Sequence, residues 1–286
     1  MDARDSQTRG IALGWAIAMV AAASSACTAS HSAMDAEAGA AEDAGVDSAD
    51  VGVVDGGQSD ACTDPLVECA CYEWRPTVAA DPVNITGTVW AGWGPPHSGR
   101  EMGVRVAAIS FESGATLAED LSDGRGHFTL AVPTGGVPVG VYLEATGDGV
   151  VPHTDCTLPD LTDDVVWDLY VETPSVRDAA YVTAGVVRHD GAGTALVGVY
   201  PCTGVDRAGS LVESDVPADL RYIDATGAYS AAPMSTWMGF VQFFNVSNPS
   251  GGAVEYSVHA GDVTWARERC PTPIGGSALV FLHPHP

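Results

Sequence analysis

Lysine is absent from the 286 residues; the 12 basic residues are all arginine, set against 37 aspartates and glutamates for a formal charge of -25. That absence closes several routes at once. Schiff-base catalysis and the P-loop both need the lysine amine, so neither is open to this chain. Too few cations remain to release counterions from a nucleic-acid backbone, and no nucleic-acid partner is expected. Long apolar runs are also missing: the stretch from Ile11 to Ala23 falls short of the roughly 20 residues that a bilayer span needs. No long segment carries helical periodicity. G-x-S-x-G, H-E-x-x-H, a Gly-rich phosphate loop and paired-carboxylate spacing are all lacking. The chain therefore reads as a non-enzyme with no cofactor and no metal site.

What is present begins with an export signal over residues 1–26. Arg4 and Arg9 precede the apolar run, and small residues lead through Ser24-Ser25-Ala26 into Cys27. A cysteine so placed resembles a bacterial lipobox, in which the thiol is diacylated and becomes the first residue of the mature chain. Ser24 stands where such motifs usually carry leucine, and Asp2 and Asp5 dilute the positive segment, so ordinary cleavage near Ala26 is the alternative. The lipid reading places the protein at the bacterial outer membrane or cell surface, with the membrane as a partner through the anchor. The other reading leaves it secreted or periplasmic.

Cysteine arithmetic favours the lipid. The seven cysteines are Cys27, Cys62, Cys69, Cys71, Cys156, Cys202 and Cys270. Setting Cys27 aside leaves six, enough for three disulfides in an oxidising compartment. No fourth ligand completes a zinc site around Cys62, Cys69 and Cys71. The expected pairing joins Cys202 to Cys270 and Cys156 to one member of the N-terminal trio, with the other two bonded locally. Between the anchor and this cluster, residues 27–61 are almost all small or acidic. Nine acidic residues fall between Asp35 and Asp64, and no basic one appears before Arg75. Such a segment cannot bury enough apolar surface to offset chain entropy and should be a disordered, self-repelling tether. A cysteine-containing lead-in, 62–81, follows it.

From Val83 onward, short runs rich in Val, Ile, Thr and Tyr alternate with Gly, Pro and Asp. Strands are expected at 84–91, 103–110, 127–132, 139–145 and 164–171. After a linker they resume at 181–188, 195–200, 219–225, 228–232, 239–246, 253–260 and 277–282. This pattern is all-β and antiparallel. The halves also resemble each other. Ile85-Thr86-Gly87 and Thr183-Ala184-Gly185 each open a strand-like run, and each is followed by D-x-x-G-x-[FY], at Asp123–Phe128 and Asp224–Tyr229. Self-similarity at an offset of about a hundred residues argues for two copies of one domain.

The run Ile85-Thr86-Gly87-Thr88-Val89, then GVRVAA at 103–108, then Asp123–Phe128 resembles the carboxypeptidase regulatory-like domain. In the second half, GFVQFFNVSNPSGGAVEYSV resembles the strand-turn of related bacterial surface domains. The resemblance implies two tandem transthyretin/Ig-like β-sandwich domains, 82–173 and 179–286. Members of that family are non-catalytic appendages of peptidases, receptors and lipoproteins, and no catalytic residue is carried over.

Three clusters could bear function. Asp123 with His127 could be a metal or acid–base pair. Strand alternation from Gly126 nevertheless turns Phe128 and Leu130 inward and His127 outward, and Ala228 occupies the matching position in the second copy. The aspartate and glycine then serve a turn. Trp90, Trp93 and His97, in a Gly/Pro-rich loop, could form a stacking platform for a glycan or for an envelope protein. His283 and His285 lie in a tail and lack further ligands. Asn84-Ile85-Thr86 and Asn245-Val246-Ser247 fit the glycosylation sequon by chance. The function expected is surface binding, adhesion or structural spacing by an envelope lipoprotein. The alternative is an extracellular enzyme or accessory subunit acting on polysaccharide or peptide.

Overall fold

The computed structural model describes residues 77–92, 99–199, 211–224, 228–231, 239–248, 252–260 and 263–282. The signal 1–26, Cys27, the tether and most of the lead-in lie outside these residues, as do Trp93, His97, Cys62, Cys69, Cys71, Cys202, His283 and His285.

The chain is mostly β with open sheets. In the first half the strands are β1 (Val83–Ala91), β2 (Gly99–Arg100), β3 (Arg105–Ser110), β4 (Thr116–Leu121), β5 (His127–Val132), β6 (Val141–Thr146), β7 (His153–Asp155), β8 (Val165–Val166) and β9 (Leu169–Val171). One helix, α1 (Pro174–Ala184), leads into β10 (Gly193–Val199), β11 (Leu211–Ser214), β12 (Asp219–Ile223) and β13 (Tyr229–Ser230). The last four are β14 (Phe240–Val246), β15 (Ala253–Ala260), β16 (Val263–Pro271) and β17 (Ser277–Leu282).

Nine strands form one sheet in the order β13-β12-β14-β10-β17-β7-β6-β3-β4. The segments expected as tandem sandwiches, 82–173 and 179–286, thus share a sheet: β17 pairs in parallel with β10 on one side and with β7 on the other. Alternation along β3 and β6 shows how the layers stack. Val106, Ala108, Val141 and Leu143 enter a cluster with Ile85, Phe128 and Leu130 of the five-stranded sheet built on β1. Ala107, Ile109 and Tyr142 face the other way and join Val197, Phe243, Tyr256 and Cys270. That second cluster lies beneath the three-stranded sheet β11-β15-β16. Strand β3 is consequently buried on both faces and reads as a continuous apolar run.

Two expectations are corrected. Cys270 bonds to Cys156, across 114 residues, and not to Cys202. The reason is register: Cys156 donates its backbone N–H to Leu279 at the end of the β7–β17 pair, which puts it over β16 in the shared core. The span 181–188, expected as a strand, begins inside α1. Thr173 caps the helix by accepting from the N–H of Val176, Pro174 takes the first position, and Gly185 ends it at φ 64°. Gly185 and Gly87 are therefore not equivalent, since Gly87 lies within β1. A Cβ there would meet the Trp167 carbonyl oxygen, and the expected strand 164–171 is broken at Trp167 and Asp168 into β8 and β9. The second half of the repeat is shared: Asp123 and Asp224 each accept from the N–H four residues on, at His127 and Ala228, and each returns its own N–H to that residue's carbonyl.

Candidate binding surface and the buried polar seam

The junction between the halves gathers the functional candidates. Strand β1 places Trp90 opposite Arg100 on β2 and opposite Tyr170 on β9. The Arg100 guanidinium carbon sits 5.0 Å from the Trp90 ring centroid, a cation–π contact within the productive range. Trp90 is half-buried. Tyr170 packs on Leu196, Phe240 and Leu279, so the row Arg100–Trp90–Tyr170 runs from the first half onto the second. Of the predicted loop Trp90, Trp93 and His97, only Trp90 is described, and its ring already carries a cation from its own chain.

A second surface opens on the other side of the junction. Phe111, in the turn after β3, leans on Tyr142 with ring centroids 5.1 Å apart and remains 39% exposed. It lines a concavity of about 510 Å³ with Glu255, Arg267, Glu268 and Arg269 from the β15–β16 hairpin. Glu255 holds Arg267 at 3.8 Å and Arg269 at 3.5 Å, and with Glu268 the lining carries two carboxylates against two guanidinium groups. A further open concavity of about 470 Å³, at the mouth of the second-half core, is lined by Leu211, Val216, Leu220 and Phe243.

Beneath the surface runs a polar seam on one face of the nine-stranded sheet, where the first-half cluster ends and the second begins. His153 Nδ1 and Ser277 Oγ are 2.9 Å apart, as register partners on β7 and β17. Burial pushes the His153 imidazole down to about 3, so it is neutral. Two residues along, burial raises the Asp155 carboxyl, opposed by hydrogen bonds from Thr157 and from Trp167 Nε1 at 3.2 Å. A histidine beside a serine invites comparison with a nucleophile and its base. His153 is 1% and Ser277 3% exposed, and neither lines the two concavities above. The pair fastens β7 to β17. Sequence reading passed over it because its members lie 124 residues apart and no local motif surrounds either.

Asp123 and His127 are placed as expected. His127 is exposed while Phe128 and Leu130 are buried, and the two side chains approach only to 4.0 Å. The backbone N–H groups of His127 and then Arg125 hold the Asp123 carboxyl below its ordinary range. Among the described residues, no three His, Cys, Asp or Glu side chains gather to hold a metal. Asn245, half of a sequon, is buried: its Oδ1 accepts from His189 N–H while its Nδ2 donates to Val187 and Asp219. That side chain is closed to glycosylation in the folded chain.

No protein-family model and no curated protein matches the chain. Among solved structures, it is similar to the shaft pilin SpaA from Lactobacillus rhamnosus GG, at 12% identity over 72% of this chain and 98% of that one, with a TM-score of 0.23. The minor pilin GBS52 of Streptococcus agalactiae matches at 10% identity over 71% and 97%, TM-score 0.22. The Bacillus anthracis TIE protein matches at 9% over 70% and 34%, TM-score 0.25. Superpositions this loose carry no argument about function.

Proposed function

We propose that this chain is a non-enzymatic cell-envelope protein, held by a lipid on Cys27 and projected by the tether 27–61, whose β body serves surface binding or adhesion. The observation that carries this reading is the junction. One sheet runs through both halves, a disulfide ties the end of β7 to β16 within one core, and two aromatic–arginine surfaces lie where the halves meet. Aromatic side chains flanked by arginine supply large, stiff contact area, as binding surfaces require. The resemblance to the carboxypeptidase regulatory-like domain supports an appendage role. The second reading, an accessory subunit that delivers polysaccharide or peptide to an enzyme, is favoured by the Arg100–Trp90–Tyr170 row alone.

The deciding experiment presents the soluble fragment from Cys62 onward to native envelope proteins and to a glycan array. Retention of an envelope protein or glycan that is lost in Trp90→Ala or Phe111→Ala is the expected result. Release of product from a polymer by the fragment itself would instead establish an enzyme. For the anchor, Cys27→Ala or globomycin should leave unprocessed precursor without lipid label, and unchanged processing rules the anchor out.

A further inference from the structure

Glu172 follows β9 and immediately precedes the helix cap Thr173. It is 6% exposed, and its Oε2 is buried with no hydrogen-bond partner. Its backbone carbonyl accepts from the Val151 N–H at 2.7 Å, which ties the chain at Glu172 to the approach to β7. One turn into the helix, Arg177 is 8% exposed. It donates through Nη1 to the carbonyl of Gly275, in the turn leading to β17, while its Nε is buried without a partner. A buried carboxyl and a buried guanidinium thus lie close in the chain without forming a pair. Burial without a hydrogen-bond partner favours the protonated form of that carboxyl.

We propose that Glu172 is a proton-operated latch for helix α1: while protonated it leaves Arg177 on the Gly275 carbonyl, and on ionising it draws the guanidinium to itself. Ionisation breaks the carboxyl O–H bond and sends the proton to solvent, and no other group changes charge. The new carboxylate accepts from Arg177 Nε–H. The bond to Gly275 is then released, and α1 and residues 273–276 loosen together. The groups facing Glu172 define the response. From α1 these are Arg177 and Tyr181, and from β13 it is Tyr229, whose phenol is raised by burial and then by Glu172. Arg188 and Asp178 act on Arg177 from farther along. On the β7 side the nearest titratable residue in the chain is His153, which is neutral throughout this range.

Burial pushes the Glu172 carboxyl from 4.5 up to about 7, opposed by Arg177. The folded state therefore holds a proton that the opened state has lost, and opening becomes easier as pH rises through this window. Amide hydrogen exchange on the full chain, corrected for intrinsic rates, tests the latch. Between pH 6 and 8, exchange in 174–184 and 273–276 should rise about tenfold, whereas Glu172→Gln should show no such rise. Equal corrected rates at the two pH values in the parent, or the same rise in the glutamine variant, would overturn the proposal. Arg177→Gln gives an independent reading. Removing the cation that opposes the upward shift of Glu172 should move the midpoint to higher pH, and an unmoved or lowered midpoint counts against the latch.

Discussion

At the scale of single residues, the aspartates of the folded part act as acceptors for backbone N–H groups that no neighbouring strand reaches. Asp164 accepts from Asn84 N–H at 2.7 Å and Asp168 from Thr88 N–H at 2.8 Å, on the side of β1 where β8 and β9 break. Asp120 takes Thr129 N–H on β5, and Asp215 takes Glu255 N–H on β15. These bonds give part of the acidity a structural role. The carboxyl of Asp164 is lowered by the backbone bond from Asn84 and then by its side-chain amide, and that of Asp123 by His127 and Arg125 N–H. Both stabilise the fold above the ordinary carboxyl value of 3.8, and the contribution is lost as pH falls through the lower folded values. Asp164→Ala and Asp123→Ala should each lower the melting temperature at pH 7. Each should also flatten its fall below pH 4, followed by circular dichroism; an unchanged acid limb would refute the assignment. Little of this was legible in the sequence, because the Asn84 N–H lies 80 residues from its acceptor. The turn aspartates were legible, since their targets lie within four residues.

Single elements show where local pattern suffices. Strands β5, β15 and β17 occupy the spans expected for them, because alternation or a dense β-branched run is bounded there by turn residues. Strand β4 was passed over: TLAEDL carries three polar residues and pairs at an edge, where burial does not discipline the sequence. Strands β7, β11 and β16 were missed as well, β7 being only three residues long and defined by its distant partner. The helix was misread through the β-branched content of YVTAGVV, although Thr173-Pro174 and Gly185 were start and stop signals in plain sight. These signals carry measurable weight. Thr173→Ala should cost about 1 kcal/mol through the lost cap, and Gly185→Val should cost at least about 1 kcal/mol through the left-handed backbone, both by urea titration. In β1, Gly87→Ala would drive a methyl group into the Trp167 carbonyl and the Phe128 ring, so a loss of about 3 kcal/mol or more is expected. A neutral result would mean that the β1–β8 approach is looser than described.

Over the whole molecule, the predominance of strands was legible, but the joining of the halves was not: a parallel pair between β7 and β17 leaves no local mark on either segment. The same pairing overturns the cysteine scheme. With Cys156 and Cys270 bonded, Cys202 has only Cys62, Cys69 and Cys71 as partners once Cys27 is set aside. Peptide mapping without reductant should therefore find Cys202 joined to one of that trio, and a free Cys202 thiol would break the scheme. Loss of the Cys156–Cys270 bond should destabilise by about 2–5 kcal/mol. Under tension, the bond should withhold 114 residues, or about 400 Å of contour, from extension until reductant is added.

The position of β17 has a further consequence, for the order in which this chain can fold. It follows every other strand among the described residues, yet it lies in the middle of the nine-stranded sheet, between β10 and β7. Until it is available to pair, those two strands present unpaired edges and the first half cannot complete its sheet. Its pairing with β7 spans more than a hundred residues of loop closure, a slow, non-local step. Completion of this sheet is thus deferred until residues 277–282 can dock, and a chain cut before Ser277 would expose two adhesive edges.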